Sequence, residues 1–305
     1  MRSDRNHFRT ATPAMPTFTP PPRPTGPPPP DASEPVRIEL SYRAWNQAQP
    51  PRRIKLGIPG WAGEDTPAAD GAQPQPWHCR PFVDAASYGI ELVYGFETEC
   101  RVTRGEDGAI RFDGDFSGEI ARAKGAGQDL VVPFGTFAPH HYGMTSALDV
   151  MPPPGHVLRI EPHPRFFTDM TGTVPAAVPG HIERFWPRMF FVVFKSPAVG
   201  ETHVFRPGEP FAQLLVVPAQ ATYALSPMPE EQAEDRRTQD RQMTSLGYLL
   251  AKNLWHAGNG YWFDDKYKQL LRIYRAGGLD GVREHLRQVA MIARLDGGAS
   301  KKSSE

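Results

Sequence analysis

Histidines are concentrated in one stretch of the sequence, which makes metal binding the first chemistry to consider. Six of the ten histidines fall within 64 residues, at His140, His141, His156, His163, His181 and His203. Imidazole is the commonest metal ligand in proteins, and two histidines with one carboxylate can hold a non-haem metal that keeps open positions. His181 and Glu183, together with His203 or His140, have this composition. They are the candidate ligands, for a divalent transition metal such as iron or zinc.

The geometry of this metal site depends on where the pair His181 and Glu183 lies. Residues i and i+2 of a strand share a face, which would let both side chains bind one ion. If His181 and Glu183 lie in a turn instead, the strand geometry no longer supports a shared ion. The alternative, that these are exposed turn histidines or hydrogen-bonded core histidines, stays open.

Short strands that alternate with turns dominate the middle of the chain. Residues 88–102 predict a half-buried strand, because apolar side chains alternate from Ile90 to Phe96. Further strand-like runs follow at residues 110–112, 130–132, 157–160, 189–194, 203–205, 211–217 and 223–225. The run at 189–194 is almost wholly apolar and predicts the most buried strand. Many short strands with Pro and Gly clusters between them indicate a β-barrel or jelly roll.

The periodicity becomes helical after Pro229. Residues 230–256, a segment that opens at Asp264 and Asp265, and a segment from Asp280 each predict a helix. We therefore expect a disordered proline-rich tail at 1–35, a β-barrel domain at 36–226, an α-helical appendage at 229–295 and a disordered tail at 296–305.

Composition excludes several classes of function. The chain has 34 basic and 34 acidic side chains, whereas nucleic-acid binding normally requires a basic excess. It has no apolar run of about 18 residues that would span a membrane, and no apolar signal-peptide region near residue 1. We expect a cytoplasmic protein whose two cysteines, Cys79 and Cys100, are buried thiols.

Part of the barrel resembles a known family. The runs GHIERFW at 180–186, FFVVF at 190–194 and FRPGEPFAQLLVVP at 205–218 are similar to the C-terminal half of the dUTPase and dCTP deaminase β-clip barrel. That family has a Gly-x-Ile-Asp turn, a hydrophobic strand and a Gly-Asp-x-x-Ala-Gln-Leu strand there. The run AASYGIEL at 85–92 resembles its Gly-x-Asp-Leu stretch. Residues 77–218 also resemble an uncharacterised bacterial domain family of unknown function.

The resemblance implies a dUTPase-like β-clip or related jelly-roll barrel followed by a C-terminal α-helical appendage, and a homo-oligomer such as a trimer. It also makes Glu183 a candidate catalytic base, at the position of the carboxylate that orients water. The chain departs from the nucleotide hydrolases elsewhere. It has no Pro-Arg-Ser-type phosphate-binding turn and no glycine-rich, arginine-containing C-terminal arm.

Three functions are compatible with these observations. The leading hypothesis is a non-hydrolytic module that binds a small molecule or a partner. The second is a metal-dependent enzyme with a two-histidine, one-carboxylate site, such as an oxygenase, acting on a small molecule or peptide. The third is a nucleotide hydrolase or deaminase relative.

Overall fold

The protein is mainly β, with helices at the C-terminal end, as its sequence predicted. The computed structural model describes residues 37–44, 49–54, 79–127, 133–167, 169, 171–186, 191–256 and 262–302. The proline-rich tail at 1–35, the predicted strand at 130–132 and the first two residues of the run at 189–194 lie outside the described residues.

The elements follow one another as strands first and long helices afterwards. The strands are β1 (Ser41–Ala44), β2 (Arg52–Arg53), β3 (Ile90–Val93), β4 (Cys100–Arg104), β5 (Ile110–Asp113), β6 (Phe134–Ala138), β7 (His141–Thr145), β8 (Leu148–Met151), β9 (His156–Pro162), β10 (Gly180–Ile182), β11 (Phe191–Lys195), β12 (Thr202–Phe205), β13 (Pro210–Pro218), β14 (Leu254–His256) and β15 (Trp262–Asp264). The helices are α1 (Arg80–Ala86), α2 (Ser117–Gly125), α3 (Glu230–Ser245), α4 (Gly247–Leu250) and α5 (Lys266–Lys302), and a 3₁₀ turn spans Pro164–Phe167.

The strands form small antiparallel sheets. The largest has the order β10-β9-β13-β3-β2, so its centre is β13, which pairs with β9 on one side and β3 on the other. Two three-stranded sheets have the orders β11-β7-β6 and β12-β4-β5, and β1 pairs with β8. The hairpin of β14 and β15 belongs to the C-terminal region.

One apolar cluster joins these sheets. Its largest fully buried side chains are aromatic and come from different parts of the β region: Tyr94 directly after β3, Tyr142 on β7, Phe194 on β11 and Phe205 on β12. Their rings contact one another in stacked, tilted or edge-to-face arrangements, and the centroids of Phe194 and Phe205 are 5.3 Å apart. Burial of such rings stabilises a fold by about 1.5–3 kcal/mol each. The cluster therefore holds the sheets, and any site on them, in fixed positions.

The C-terminal helices have a second apolar cluster of their own. It is built from α4 and α5 around the fully buried Leu286. Helix α5 changes direction at Gly278, whose φ of 60° and ψ of −159° are not helical, which matches the predicted break between two helices. It continues to Lys302, where the sequence predicted a disordered tail from residue 296.

Three strand predictions need correction. The run at 189–194 is half-buried as β11, because Val192 and Phe194 face the core while Phe191 is 44% exposed. The predicted strand at 223–225 does not form, and Tyr223 and Leu225 are 89% and 95% exposed in an extended segment. An apolar triplet without a neighbouring strand has no partner for its backbone groups.

The third correction concerns residues 88–102, which form two strands rather than one half-buried strand. Strand β3 ends at Val93 and β4 begins at Cys100. Glu91, on the face of β3 expected to be exposed, is fully buried.

Within the part of the chain that the structure describes, none of the helices combines the length and apolar character needed to cross a membrane.

Candidate functional site

Four polar residues form a row across one face of the five-stranded sheet. Arg52 of β2 lies opposite Glu91 of β3, which lies opposite Gln213 of β13. Gln213 in turn lies opposite Glu161 of β9. Directly opposed residues of antiparallel strands share a face, with Cβ atoms about 4.5–5.5 Å apart. The other face of the same strands joins the core through Leu92, Leu214 and Ile160.

Glu91 is the buried anchor of this polar row. Its carboxylate accepts hydrogen bonds from Arg52 Nε and from His163 Nε2, the latter at 3.2 Å. His163 follows β9 and is only 1% exposed. Its Nδ1 accepts the backbone N–H of Arg165 at 3.2 Å. Because Nδ1 is an acceptor, the proton of the neutral ring lies on Nε2 and is donated to Glu91.

The protonation states follow from burial and hydrogen bonding together. Burial lowers the pKa of His163 and outweighs the neighbouring Glu91, which raises it. Burial raises the pKa of Glu91, but hydrogen bonds from His163 and Arg52 outweigh it, and the pKa lies below its usual value. At neutral pH Glu91 is therefore ionised and His163 neutral. Both side chains are buried, so the pair stabilises the sheet and does not contact a ligand.

Gln213 connects the polar row to α1. Its Nε2 donates to the carbonyl oxygens of Ala85, at 3.4 Å, and Tyr88. Carbonyl oxygens only accept, so the amide nitrogen must face α1 and the amide oxygen faces the other way. The other buried residues of β13 are apolar, so Gln213 is the one polar side chain at the buried centre of this strand. Gln213 Oε1 is therefore an oriented acceptor at the centre of the sheet.

A cleft of about 380 Å³ lies beside this acceptor. The cleft is lined by two carboxylates, one amide and two aromatic rings, which belong to Asp84, Glu161, Gln213, Tyr88 and Phe167. Ala85, Pro162 and Leu215 complete the lining. The rings of Tyr88 and Phe167 are 57% and 61% exposed, so the cleft offers apolar surface next to acceptor atoms.

Each carboxylate of the cleft also has an arginine partner. Asp84 pairs with Arg80 at 2.7 Å and with Arg275 at 3.5 Å. Glu161 Oε1 accepts from Arg159 Nε. A carboxylate has about four acceptor positions, and among the residues that the structure describes Glu161 Oε2 accepts no hydrogen bond. Glu161, which lies opposite Gln213 on the neighbouring strand, thus has an acceptor oxygen with capacity for a ligand.

The structure places the candidate metal ligands in three regions. His203 lies on β12, with its Nδ1 3.0 Å from the Tyr142 hydroxyl. His140 is exposed in the turn before β7. His181 is exposed on β10 opposite Arg159, and Glu183 lies in the turn just after that strand.

No group of three or more His, Cys, Asp or Glu side chains that could hold a metal occurs within the described ranges. His181 lies on the same face as the cleft, one row away from Glu161, because Arg159 and Glu161 are two residues apart on β9. The metal site and the catalytic role of Glu183 stay predictions.

His203 is neutral over most of the accessible pH range. Burial lowers the pKa of this imidazole to about 4, against a smaller opposing effect of Glu201. Burial also raises the pKa of the Tyr142 phenol well above its usual value. Tyr142 therefore keeps its proton and donates it to His203 Nδ1.

Sequence reasoning did not single out the residues of the cleft. One of them, Gln213, carried a usable signal because it lies between Ala212 and Leu214, and so did Glu91 of the polar row, which lies between Ile90 and Leu92. A lone polar residue within an apolar strand must be paired when buried. Tyr88 and Phe167 carried no such signal, because Tyr88 lies between α1 and β3 and Phe167 ends the 3₁₀ turn after β9.

No family model and no curated protein matches the chain. Solved structures that are similar to it include dUTPases. The dUTPase from phage phi11 of S. aureus is 13% identical with a TM-score of 0.32, over 63% of this chain and 99% of that one. EIAV dUTPase is 10% identical with a TM-score of 0.29, over 63% and 98%. The Staphylococcus bacteriophage 80alpha dUTPase with dUpNHpp is 10% identical with a TM-score of 0.32, over 63% and 90%.

The sequence resemblance is to the same class of protein as these solved structures. The homo-oligomer that the resemblance implies stays a prediction.

Proposed function

We propose that the protein is a non-hydrolytic binding module whose cleft takes a planar cation, an amidinium or guanidinium group, joined to an apolar part. The observation that carries this proposal is the placement of Glu161 and Gln213. They lie directly opposite each other on β9 and β13, at the floor of a cleft with two exposed aromatic rings.

The two acceptors suit a planar donor group. Amidinium and guanidinium groups present parallel N–H donors that bind two neighbouring oxygens at once. Glu161 supplies the charge, and the oriented Gln213 oxygen supplies the second acceptor. The rings of Tyr88 and Phe167 add apolar contact and attract a cation through their faces.

The same arrangement disfavours hydrolytic chemistry at this cleft. Glu91 and His163 are the closest match to an acid–base pair among the described residues of the polar row, and they are 0% and 1% exposed. A general base must come within hydrogen-bond reach of its substrate. A triphosphate would have to bind beside Asp84 and Glu161, whose arginine partners are already engaged in ion pairs.

Three benzene derivatives of nearly equal size test the proposal on the full chain. We expect benzamidinium to bind with a Kd of about 1 mM, which is about 0.5 kcal/mol for each of its nine non-hydrogen atoms. Neutral benzamide and anionic benzoate should bind at least about tenfold more weakly. Titration by NMR measures all three, and dUTP serves as a fourth probe.

Benzoate binding as tight as that of benzamidinium would contradict the proposal. Tight binding of dUTP without binding of benzamidinium would favour the nucleotide alternative.

Variants locate the binding to the cleft. Glu161→Gln should weaken benzamidinium binding about tenfold, because a charged hydrogen bond contributes about 1.5 kcal/mol. Glu97→Gln removes a 76% exposed carboxylate elsewhere and should have no effect. Phe167→Ala should also weaken binding, whereas Phe185→Ala, which removes a 76% exposed ring outside the cleft, should not. Equal effects within either pair would place the binding elsewhere.

A further inference from the structure

The carboxylates of the cleft are parts of ion pairs, and this limits the kind of ligand that the cleft can take. Asp84 pairs with Arg80 and Arg275. Glu161 pairs with Arg159. The cleft together with these arginines therefore has no excess of negative charge. A ligand that carries only a cation compensates Glu161 but offers nothing to the guanidinium group of Arg159 beside it.

Arg159 lies beside the cleft, one row away from Glu161. The two residues are two positions apart on β9, so their side chains share a face of the sheet. Leu215 of β13 lies directly opposite Arg159 and is part of the cleft lining. The floor of the cleft therefore extends into the row that contains Arg159.

Arg159 has hydrogen-bond donors that its ion pair does not use. Its Nε donates to Glu161 Oε1, and among the residues that the structure describes its two terminal nitrogens have no acceptor. Its side chain is 46% exposed, so a ligand can reach these nitrogens. They form a planar fork of N–H donors, which suits a carboxylate.

We infer that the ligand of the cleft is a guanidino or amidino carboxylic acid, whose cation binds Glu161 and Gln213 and whose carboxylate binds Arg159. This inference rests on the proposed function and narrows its ligand to a class with no net charge. The spacing of the two rows sets the distance between the charged groups of the ligand. Two residues along a strand span about 6.6 Å, so the two charged groups lie about 6–7 Å apart.

A carboxylate added to benzamidinium tests the inference, because the benzene ring fixes its distance from the amidinium group. The carbon atoms of the two groups are about 6 Å apart in 4-amidinobenzoate and about 5 Å apart in 3-amidinobenzoate. On the full chain we expect 4-amidinobenzoate to bind about tenfold more tightly than benzamidinium, since a charged hydrogen bond contributes about that factor. The 3-isomer, and 4-carbamoylbenzamidinium with a neutral amide in place of the carboxylate, should gain less than about threefold. Titration by NMR measures all four compounds.

A substitution of Arg159 assigns the gain to this residue. In Arg159→Gln the affinities for 4-amidinobenzoate and benzamidinium should become equal. Arg101→Gln is the matched control, because Arg101 is 54% exposed and pairs with Glu99, two positions away, at β4 of a different sheet; it should keep the tenfold difference. The readout is the ratio of two affinities in one protein, so any change in binding of the amidinium group, which both compounds share, cancels.

The inference and the proposed function fail in different ways. Binding of benzamidinium without a gain for 4-amidinobenzoate, or with an equal gain for the 3-isomer, would overturn the inference and leave the proposed function intact. A tenfold gain that persists in Arg159→Gln would also overturn the inference, because the carboxylate would then bind another residue. If neither benzamidinium nor 4-amidinobenzoate binds the parent chain, the proposed function itself is wrong.

Discussion

His203 couples the stability of the β region to pH. Its Nδ1 accepts the hydroxyl of the buried Tyr142 at 3.0 Å, and burial lowers its pKa from 6.5 to about 4. The folded-state pKa is below the unfolded one, so acid protonates the unfolded chain first. The stabilisation is therefore complete above pH 6.5 and is lost as the pH falls towards 4.

The magnitude follows from these two pKa values. Between pH 7.5 and pH 5.0 the unfolded chain gains almost one proton at this site, and the folded chain gains little. The linkage relation then gives a loss of about 2 kcal/mol in the free energy of unfolding. This is a large part of the 5–15 kcal/mol typical of a domain.

The variant His203→Asn isolates this effect, since the asparagine oxygen can accept the Tyr142 hydroxyl but does not titrate. We expect urea denaturation to show that the free energy of unfolding falls between pH 7.5 and pH 5.0 by about 2 kcal/mol less in the variant than in the parent chain. The pKa of His163 is lowered as well. Its contribution is the same in the parent chain and in the variant, so it cancels when the two are compared. His181→Asn, at an exposed position on β10, is the control and should behave as the parent chain.

Equal losses in the parent chain and His203→Asn would refute this reasoning. They would mean that water reaches the imidazole in the folded state, so that burial does not lower its pKa.

Two further substitutions test the polar row and its connection to the core. Gly89→Ala should reduce the free energy of unfolding by about 3 kcal/mol, because Gly89 has a φ of +91° and an added Cβ would lie 2.4 Å from the carbonyl oxygen of Leu214. Gly135→Ala, where no atom lies within 4 Å of an added Cβ, is the control in urea denaturation; equal losses in the two variants would contradict the explanation. Glu91→Gln should cost about 2 kcal/mol, because it removes the negative charge that Arg52 and His163 contact in the folded protein. A fully stable variant with unchanged acid sensitivity would show that the buried carboxylate is not ionised.

Much of the order of strands could be predicted because local patterns determine it, whereas α1 and α2 were not predicted and residues 254–256, predicted as the end of a helix over 230–256, form strand β14. Strands β9 and β13 coincide closely with the apolar runs at 157–160 and 211–217. The break in α5 coincides with the paired glycines at 277 and 278. In each place composition and periodicity agree with the tertiary structure.

Burial was harder to predict than the elements, since it depends on which strands become neighbours. The apolar run at 189–194 predicted complete burial, yet Phe191 packs over Gly143 of the adjacent strand and keeps one face open to solvent. Sequence alone does not show that a glycine will lie beside that ring.

The cleft could be predicted only in part, because its residues come from distant parts of the chain. Register places Glu91, Gln213 and Glu161 in one row, although 122 positions separate Glu91 from Gln213 in the sequence. The histidines show the reverse effect. They are close together in the sequence, but His181 lies on β10 and His203 on β12, in different sheets, and His140 lies in the turn before β7.

The hydrogen bonds from Gln213 to the backbone of Ala85 and Tyr88 have a consequence for the speed of binding. They join Gln213 of β13, at the floor of the cleft, to the segment that carries Tyr88, which forms one of its walls. We therefore expect a ligand to enter without a backbone rearrangement. The observed association rate should rise in proportion to ligand concentration, without the plateau that a slow conformational step would impose.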